Sequence, residues 1–181
     1  MNGTAVATVV VAAVLLFWVI GAYNRLVAMR NGIADAWAKV QDALTQRGAA
    51  VEPLVTALRQ AMAAEQGALD TWLASHGEAT KAASAMLARP MAEHNAQAWV
   101  AAETALAAAA SRVLALLDQH GELRRADAVA ALATTWHDGQ ARLPFARQLF
   151  NESAQAYNDA IALIPTRWVA RGFSLGRAGL I

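Results

Sequence analysis

Apolar residues follow two rhythms along this chain. From Thr4 to Ala22 (TAVATVVVAAVLLFWVIGA) nineteen residues pass without a charge, and the first charged side chain is Arg25. A helix rises about 1.5 Å per residue, so roughly 20 such residues cross a hydrocarbon layer about 30 Å thick. The run predicts a membrane-spanning helix over 4–22. Past it the apolar positions become Leu26, Met29, Ile33, Trp37, Val40 and Leu44, one stripe at helical spacing. The spanning helix is therefore expected to continue unbroken to about Arg47 and to end at Gly48.

Three further stripes follow. Pro53 suits a helix start, and Leu54, Leu58, Met62, Leu69 and Trp72 predict a second helix to about Ser75, with Glu78–Ala88 continuing or restarting it before Pro90. Trp99, Leu106, Val113 and Leu117 mark a third. Val129, Leu132, Trp136, Leu143, Phe150, Tyr157 and Ile161 mark a fourth, ended by Pro165. His76-Gly77 and His120-Gly121 each read as a helix stop. Gly139 and Pro144 predict a kink or short break within the fourth helix. Strand-like alternation is missing throughout. The expected fold is all-α: an antiparallel up-down four-helix bundle whose first helix extends from an N-terminal transmembrane helix. Its divisions are a short extracytoplasmic tail (1–3), the transmembrane helix (4–22), the helical bundle (23–164) and a basic, aromatic C-terminal tail (165–181).

Composition sharpens this picture. Hydrophobic residues make up 57% and charged residues 16%, against about 45–50% and about 25% in ordinary soluble domains. Fifteen basic against fourteen acidic residues give a net charge of +1, which argues against broad nucleic-acid binding. The lack of cysteine excludes disulfides, thiol catalysis and thiolate zinc sites. The opening MNGT carries no side-chain charge, and the apolar run exceeds the h-region of a cleaved signal, so an uncleaved anchor is expected. Arg25, Arg30 and Lys39 follow the span, which predicts the N-terminus outside and the helices in the cytoplasm.

The stretch Tyr23–Val40 (YNRLVAMRNGIADAWAKV) directly after the span resembles the opening signature of the LemA family. Ala146–Pro165 (ARQLFNESAQAYNDAIALIP) and Ala170–Phe173 (ARGF) resemble its closing segment, with its aromatic-asparagine dipeptides at Phe150-Asn151 and Tyr157-Asn158. The resemblance implies a bacterial protein with an N-terminal membrane helix, a short outer tail and an inner antiparallel helical bundle. It brings no catalytic residues. This chain carries Gln140 where the family tends to have glutamate, and His120-Gly121 where it tends to have tyrosine-proline.

Asn24 and Asn31 are seven apart on the first helix, as Asn151 and Asn158 are on the fourth. Unpaired buried amides are costly, so level asparagines on antiparallel neighbours would fix one register; Asn24 is expected opposite Asn158, and Asn31 opposite Asn151. The tail interleaves Arg167, Arg171 and Arg177 with Trp168 and Phe173, a composition suited to an anionic headgroup layer. Trp18, Arg25 and Arg30 are expected at the same boundary. His76, His94, His120 and His137 lack the i, i+4 spacing of a zinc helix, and Glu65, Glu103 and Glu152 lack the Glu-x-x-His motif of a di-iron bundle. Gly172–Gly176 matches Gly-x-Ser-x-Gly but lacks the strand and the later acid and histidine of a nucleophile elbow. Trp37, Trp72, Trp99 and Trp136 each stand in a stripe, as core residues do.

No catalytic, metal or cofactor site is expected, and none of these motifs points to an enzyme. The reading is a binding or scaffold module at the bacterial inner membrane, with the lipid bilayer and an unidentified protein as partners. Self-association is open to such a bundle. Two alternatives stand beside it: an exported, envelope-facing domain, and an accessory subunit of an enzyme.

Overall fold

A computed structural model describes residues 3–181; of the expected outer tail, Met1 and Asn2 lie outside the described residues. Those described form helices, turns and an irregular C-terminal segment over 175–181, with no strand among them. In chain order the helices are α1 (Gly3–Gly48), α2 (Val51–Ala61), α3 (Gln66–Ala88), α4 (Glu93–Gln119), α5 (Gly121–Arg125), α6 (Asp127–Ala162) and α7 (Thr166–Gly172), with a 3-10 turn at Ala63–Glu65 before α3.

The first helix is one 46-residue rod. Its apolar run stands free of the other helices over most of its length, with Val9, Leu16 and Phe17 exposed, while Leu26, Ile33, Trp37 and Val40 are buried. By length and composition two of the described helices could cross a membrane. The apolar window of the N-terminal one has no buried residue, whereas α4 places a third of its window inside the protein. Trp99, Leu106 and Val113 on α4 are fully buried, so α4 serves as a core helix.

Residue pairs give the directions of packing. Gln46 meets Arg142, Arg47 meets Gln140 and Trp37 meets Phe150, so α6 runs back along α1. Arg30–Met91, Trp37–Trp99 and Arg47–Glu103 run in the same sense, so α4 lies parallel to α1. The chain reverses between α3 and α4 at Arg89–Ala92, where Asn95 Nδ2 donates to the Ala85 carbonyl.

Three expectations about breaks are corrected. The second helix is two helices, divided at Met62 (φ −114°, ψ 52°). Gln66 Nε2 donates there to the carbonyl of Arg59, a group that the end of α2 leaves open, and to that of Met62. His76-Gly77 does not stop α3, which runs on to Ala88. The short break offered for Gly139 and Pro144, as the alternative to a kink, does not occur: α6 is a continuous 36-residue helix. Gly139 is there for proximity: a Cβ on it would lie 2.6 Å from Arg47 Cβ and 2.7 Å from Arg47 Cα. The two helices touch at this residue. At the other expected stop, His120 does end α4.

The core divides into two apolar clusters. One, toward the span, contains Leu26, Ile33, Trp37, Trp99, Phe150 and Tyr157. The other, at the far end, contains Leu54, Leu58, Trp72, Leu106, Val113 and Trp136. The four stripe tryptophans are all buried, in edge-to-face pairs: Trp37–Trp99 at 5.3 Å and Trp72–Trp136 at 5.2 Å, both with rings 89° apart.

Candidate functional site

The basic, aromatic tail divides into two parts with different surroundings. Its first part is α7, which packs Val169 and Ala170 inward and leaves Arg167, Trp168 and Arg171 exposed. Trp168 is 64% exposed, so it is not folded back into the core. This helix lies beside the last turns of the apolar run. Trp168, Val169 and Phe173 face Val14, Leu15 and Trp18 across an apolar groove of about 670 Å³. The ring of Phe173 also lies 4.6 Å from that of Tyr23. Trp18, Trp168 and Phe173 thus meet where the apolar run gives way to the packed part of α1. Arg25, Arg167 and Arg171 are exposed close by in sequence, and none has an ion-pair partner among the described residues.

Arg177 falls elsewhere. It shares with Arg30, Arg89, Asn31 and Tyr23 a cavity of about 600 Å³ beside the α3–α4 turn, where Arg30 Nε donates to Met91 Sδ at 3.1 Å.

The second part of the tail is pinned along α6, and this corrects the expected asparagine pairing. Asn158 Nδ2 donates to the Ala178 carbonyl at 2.9 Å, and its Oδ1 accepts from the Ala178 N–H at 2.8 Å. Asn151 does the same with Ile181, accepting from its N–H at 2.8 Å and donating to its carbonyl. Tyr157 donates its hydroxyl to the Gly176 carbonyl at 3.0 Å, and the Gly179 N–H donates to the Met91 carbonyl at 3.1 Å. Asn24 and Asn31 are exposed and make neither expected contact. Each sits two positions before a buried stripe residue, Leu26 or Ile33, about 200° around the helix from it. Helical phase turns them outward. The tail backbone takes the place assigned to them.

Between the two apolar clusters lies a buried polar node. Arg47 follows Leu44 in the α1 stripe, Glu103 stands between Trp99 and Leu106 on α4, and Gln140 follows Trp136 by one turn on α6. Arg47 Nη1 and Nη2 donate to the two Glu103 carboxylate oxygens at 2.7 and 2.8 Å, and Nη1 also donates to Gln140 Oε1 at 3.0 Å. The guanidinium carbon lies 5.2 Å from the centre of the Trp136 ring. His76 lies against Gly48, whose missing side chain leaves room for the ring. Burial and, secondarily, the charge of Arg47 hold the His76 pKa below its ordinary 6.5. Arg47, Glu103 and His76 line, with Gln41, Thr45 and Ser84, a cavity of about 280 Å³. A bidentate pair satisfies both charges and ties α1 to α4. The signal for this node in the sequence is a charge in an apolar stripe, Arg47 on α1 and Glu103 on α4, and no local motif marks it.

The Gly172–Gly176 match to a hydrolase elbow is the turn leaving α7, with Ser174 exposed at φ 53°. Helix, not strand, precedes it.

No curated protein matches the chain. The model of the LemA family matches residues 36–180, from the stripe beyond the apolar run to the pinned tail. That stretch takes in every contact of the polar node and the Asn158–Ala178 clamp, and it spans most of the chain, which therefore belongs to the LemA family.

Proposed function

We propose that this protein is a single-pass, membrane-anchored LemA-family module with a non-enzymatic binding or scaffold role at the bacterial inner membrane. The observation that carries the reading is the continuity of α1. One 46-residue rod is exposed and apolar over its first part, then buried along a stripe in the packed helices. A rod of that kind fixes the packed helices rigidly to whatever layer takes up its apolar part.

In this reading α1, α2 with α3, α4 and α6 form an up-down-up-down four-helix bundle. The positive residues after the span keep the bundle in the cytoplasm and the N-terminus outside. Trp18, Trp168 and Phe173 then sit at the hydrocarbon boundary, with Arg25, Arg167 and Arg171 reaching the headgroups. The lipid bilayer is the first partner, and the polar outer faces are left for a protein partner. Buried Arg47 and Glu103 neutralise each other, which suits a structural node better than a reactive one.

Protease access to a C-terminal tag tests the topology, in cells stripped of their outer envelope and in detergent-opened cells. The tag is expected to resist protease until lysis. Digestion of intact stripped cells puts the bundle on the envelope side and favours the exported alternative. Activity that appears only with a co-purifying enzyme favours the accessory-subunit alternative.

A further inference from the structure

Asn151 and Asn158 handle the tail as a neighbouring β-strand would. Each side-chain amide gives one hydrogen bond to a residue's carbonyl and takes one from the same residue's N–H. Their spacing matches an extended chain: two helical turns rise about 10.5 Å, and three residues of strand-like backbone, from Ala178 to Ile181, span about 10 Å. The clamp therefore reads backbone in a fixed register. Side-chain selection comes from the groove walls. A Cβ at Gly179 would lie 2.8 Å from Glu93 Cα and 2.9 Å from Ala96 Cβ, so position 179 accepts glycine alone. Ala178 and Ile181 are buried on either side, while Arg177 and Leu180 face out.

We propose that the groove between α6 and the start of α4 is a binding site for an extended peptide of the pattern Ala-Gly-x-Ile. The chain's own tail fills it, and the tail of a second copy takes it in trans. The second copy follows from the fit, because the segment whose glycine, small and aliphatic positions match the groove is this one. Exchange of an identical element between copies preserves every contact it breaks. The connection allows it: Val169 and Ala170 hold α7 in place, while Phe173 and Ser174, between α7 and the pinned segment that begins at Gly176, are exposed. This inference stands on the groove alone and does not depend on which side of a membrane the helices face.

The test uses the full chain in lipid nanodiscs with Gly179→Val, which leaves the groove intact and bars its own tail. A fluorescent peptide SLGRAGLI, residues 174–181, is expected to bind this variant at least about 10-fold more tightly than the unaltered chain, whose groove is already occupied. The same peptide with the Gly179→Val change is expected to bind neither. No binding to the variant, or equal binding of the two peptides, overturns the peptide site. For the second copy, the Gly179→Val chain is mixed with a differently tagged Asn151→Ala/Asn158→Ala chain. The mixed pair has one usable tail and one usable groove, so it is expected to co-purify where neither variant pairs with itself. Absence of the mixed pair, with peptide binding intact, overturns exchange between copies.

Discussion

Arg47 and Glu103 face each other through two parallel hydrogen bonds, 2.7 and 2.8 Å long, between helices α1 and α4. Both are buried, at 3% and 7% exposure. They occupy the layer between the two apolar clusters, where Trp136 and Gln140 complete the surroundings of the guanidinium. Taking two charges out of water is costly, and their attraction in a low-dielectric interior roughly offsets that cost. What the pair adds is register. Sliding α4 along α1 by one turn would leave both charges buried and unpaired.

Glu103→Leu alone is therefore expected to destabilise the protein by about 3–5 kcal/mol, because Arg47 keeps its buried charge without a partner. Arg47→Met combined with Glu103→Leu is expected to recover most of that loss, with a net change near zero or in favour of folding. Chemical denaturation of the two singles and the double gives the coupling directly. Additive losses would mean that the pair is not a unit.

Two glycines inside helices should respond oppositely to the same substitution. At Gly77, within α3, an added Cβ meets nothing within 4 Å, so Gly77→Ala is expected to stabilise by about 0.5–1 kcal/mol through backbone entropy. At Gly139 the added Cβ would lie within 2.8 Å of the Arg47 backbone nitrogen as well as its Cα and Cβ. Gly139→Ala is expected to cost about 1–3 kcal/mol as α1 and α6 are pushed apart. Thermal unfolding of the two variants under one condition settles both signs.

The same two residues explain how much of the fold is legible in the sequence. Stripes such as Leu26–Ile33–Trp37 place the long helices because periodicity reports which face is buried, and the four stripe tryptophans follow from it. Breaks are less legible. Gly77 and Gly139 look like interruptions because glycine weakens a helix, but that cost is about 1 kcal/mol and packing outweighs it. Met62, where the chain does break, stays in step with Leu69 across the gap and so gives no sign. The asparagine clamp is hidden for another reason: Asn151 and Asn158 bind backbone, which leaves no complementary side chain to find. By contrast Arg47 and Glu103 are visible as charges standing in apolar stripes, and Gln140 on α6 meets the same guanidinium.

His76 gives the protein a dependence on pH. Its pKa is lowered first by burial and then by Arg47, with Glu52 and Glu103 opposing. The unfolded chain, with an ordinary value near 6.5, therefore takes up the proton more readily than the folded one. Stability from the neutral imidazole is complete above that value and declines as pH falls through it toward the lower folded pKa. Denaturation midpoints at pH 8 and pH 5.5 are expected to fall further on acidification for the unaltered chain than for His76→Asn. Equal slopes would remove His76 from the account.

The boundary residues make the last prediction. Of the six tryptophans only Trp168, at 64%, and Trp18, at 39%, are exposed, so only these two can meet lipid directly. In nanodiscs containing brominated phospholipid, emission is expected to be quenched through both, and Trp168→Phe should remove one share of the quenching. Trp18 lies on the apolar run itself and serves as the internal reference. Each exposed cation near an anionic surface contributes about 1 kcal/mol, so Arg167→Gln with Arg171→Gln should release α7 from the surface. The Trp168 share of the quenching then falls in anionic discs and loses its sensitivity to salt, while the Trp18 share stays constant. If Trp168→Phe leaves the quenching unchanged, α7 does not touch the bilayer. The apolar groove it forms with Val14, Leu15 and Trp18 would then be a purely internal contact.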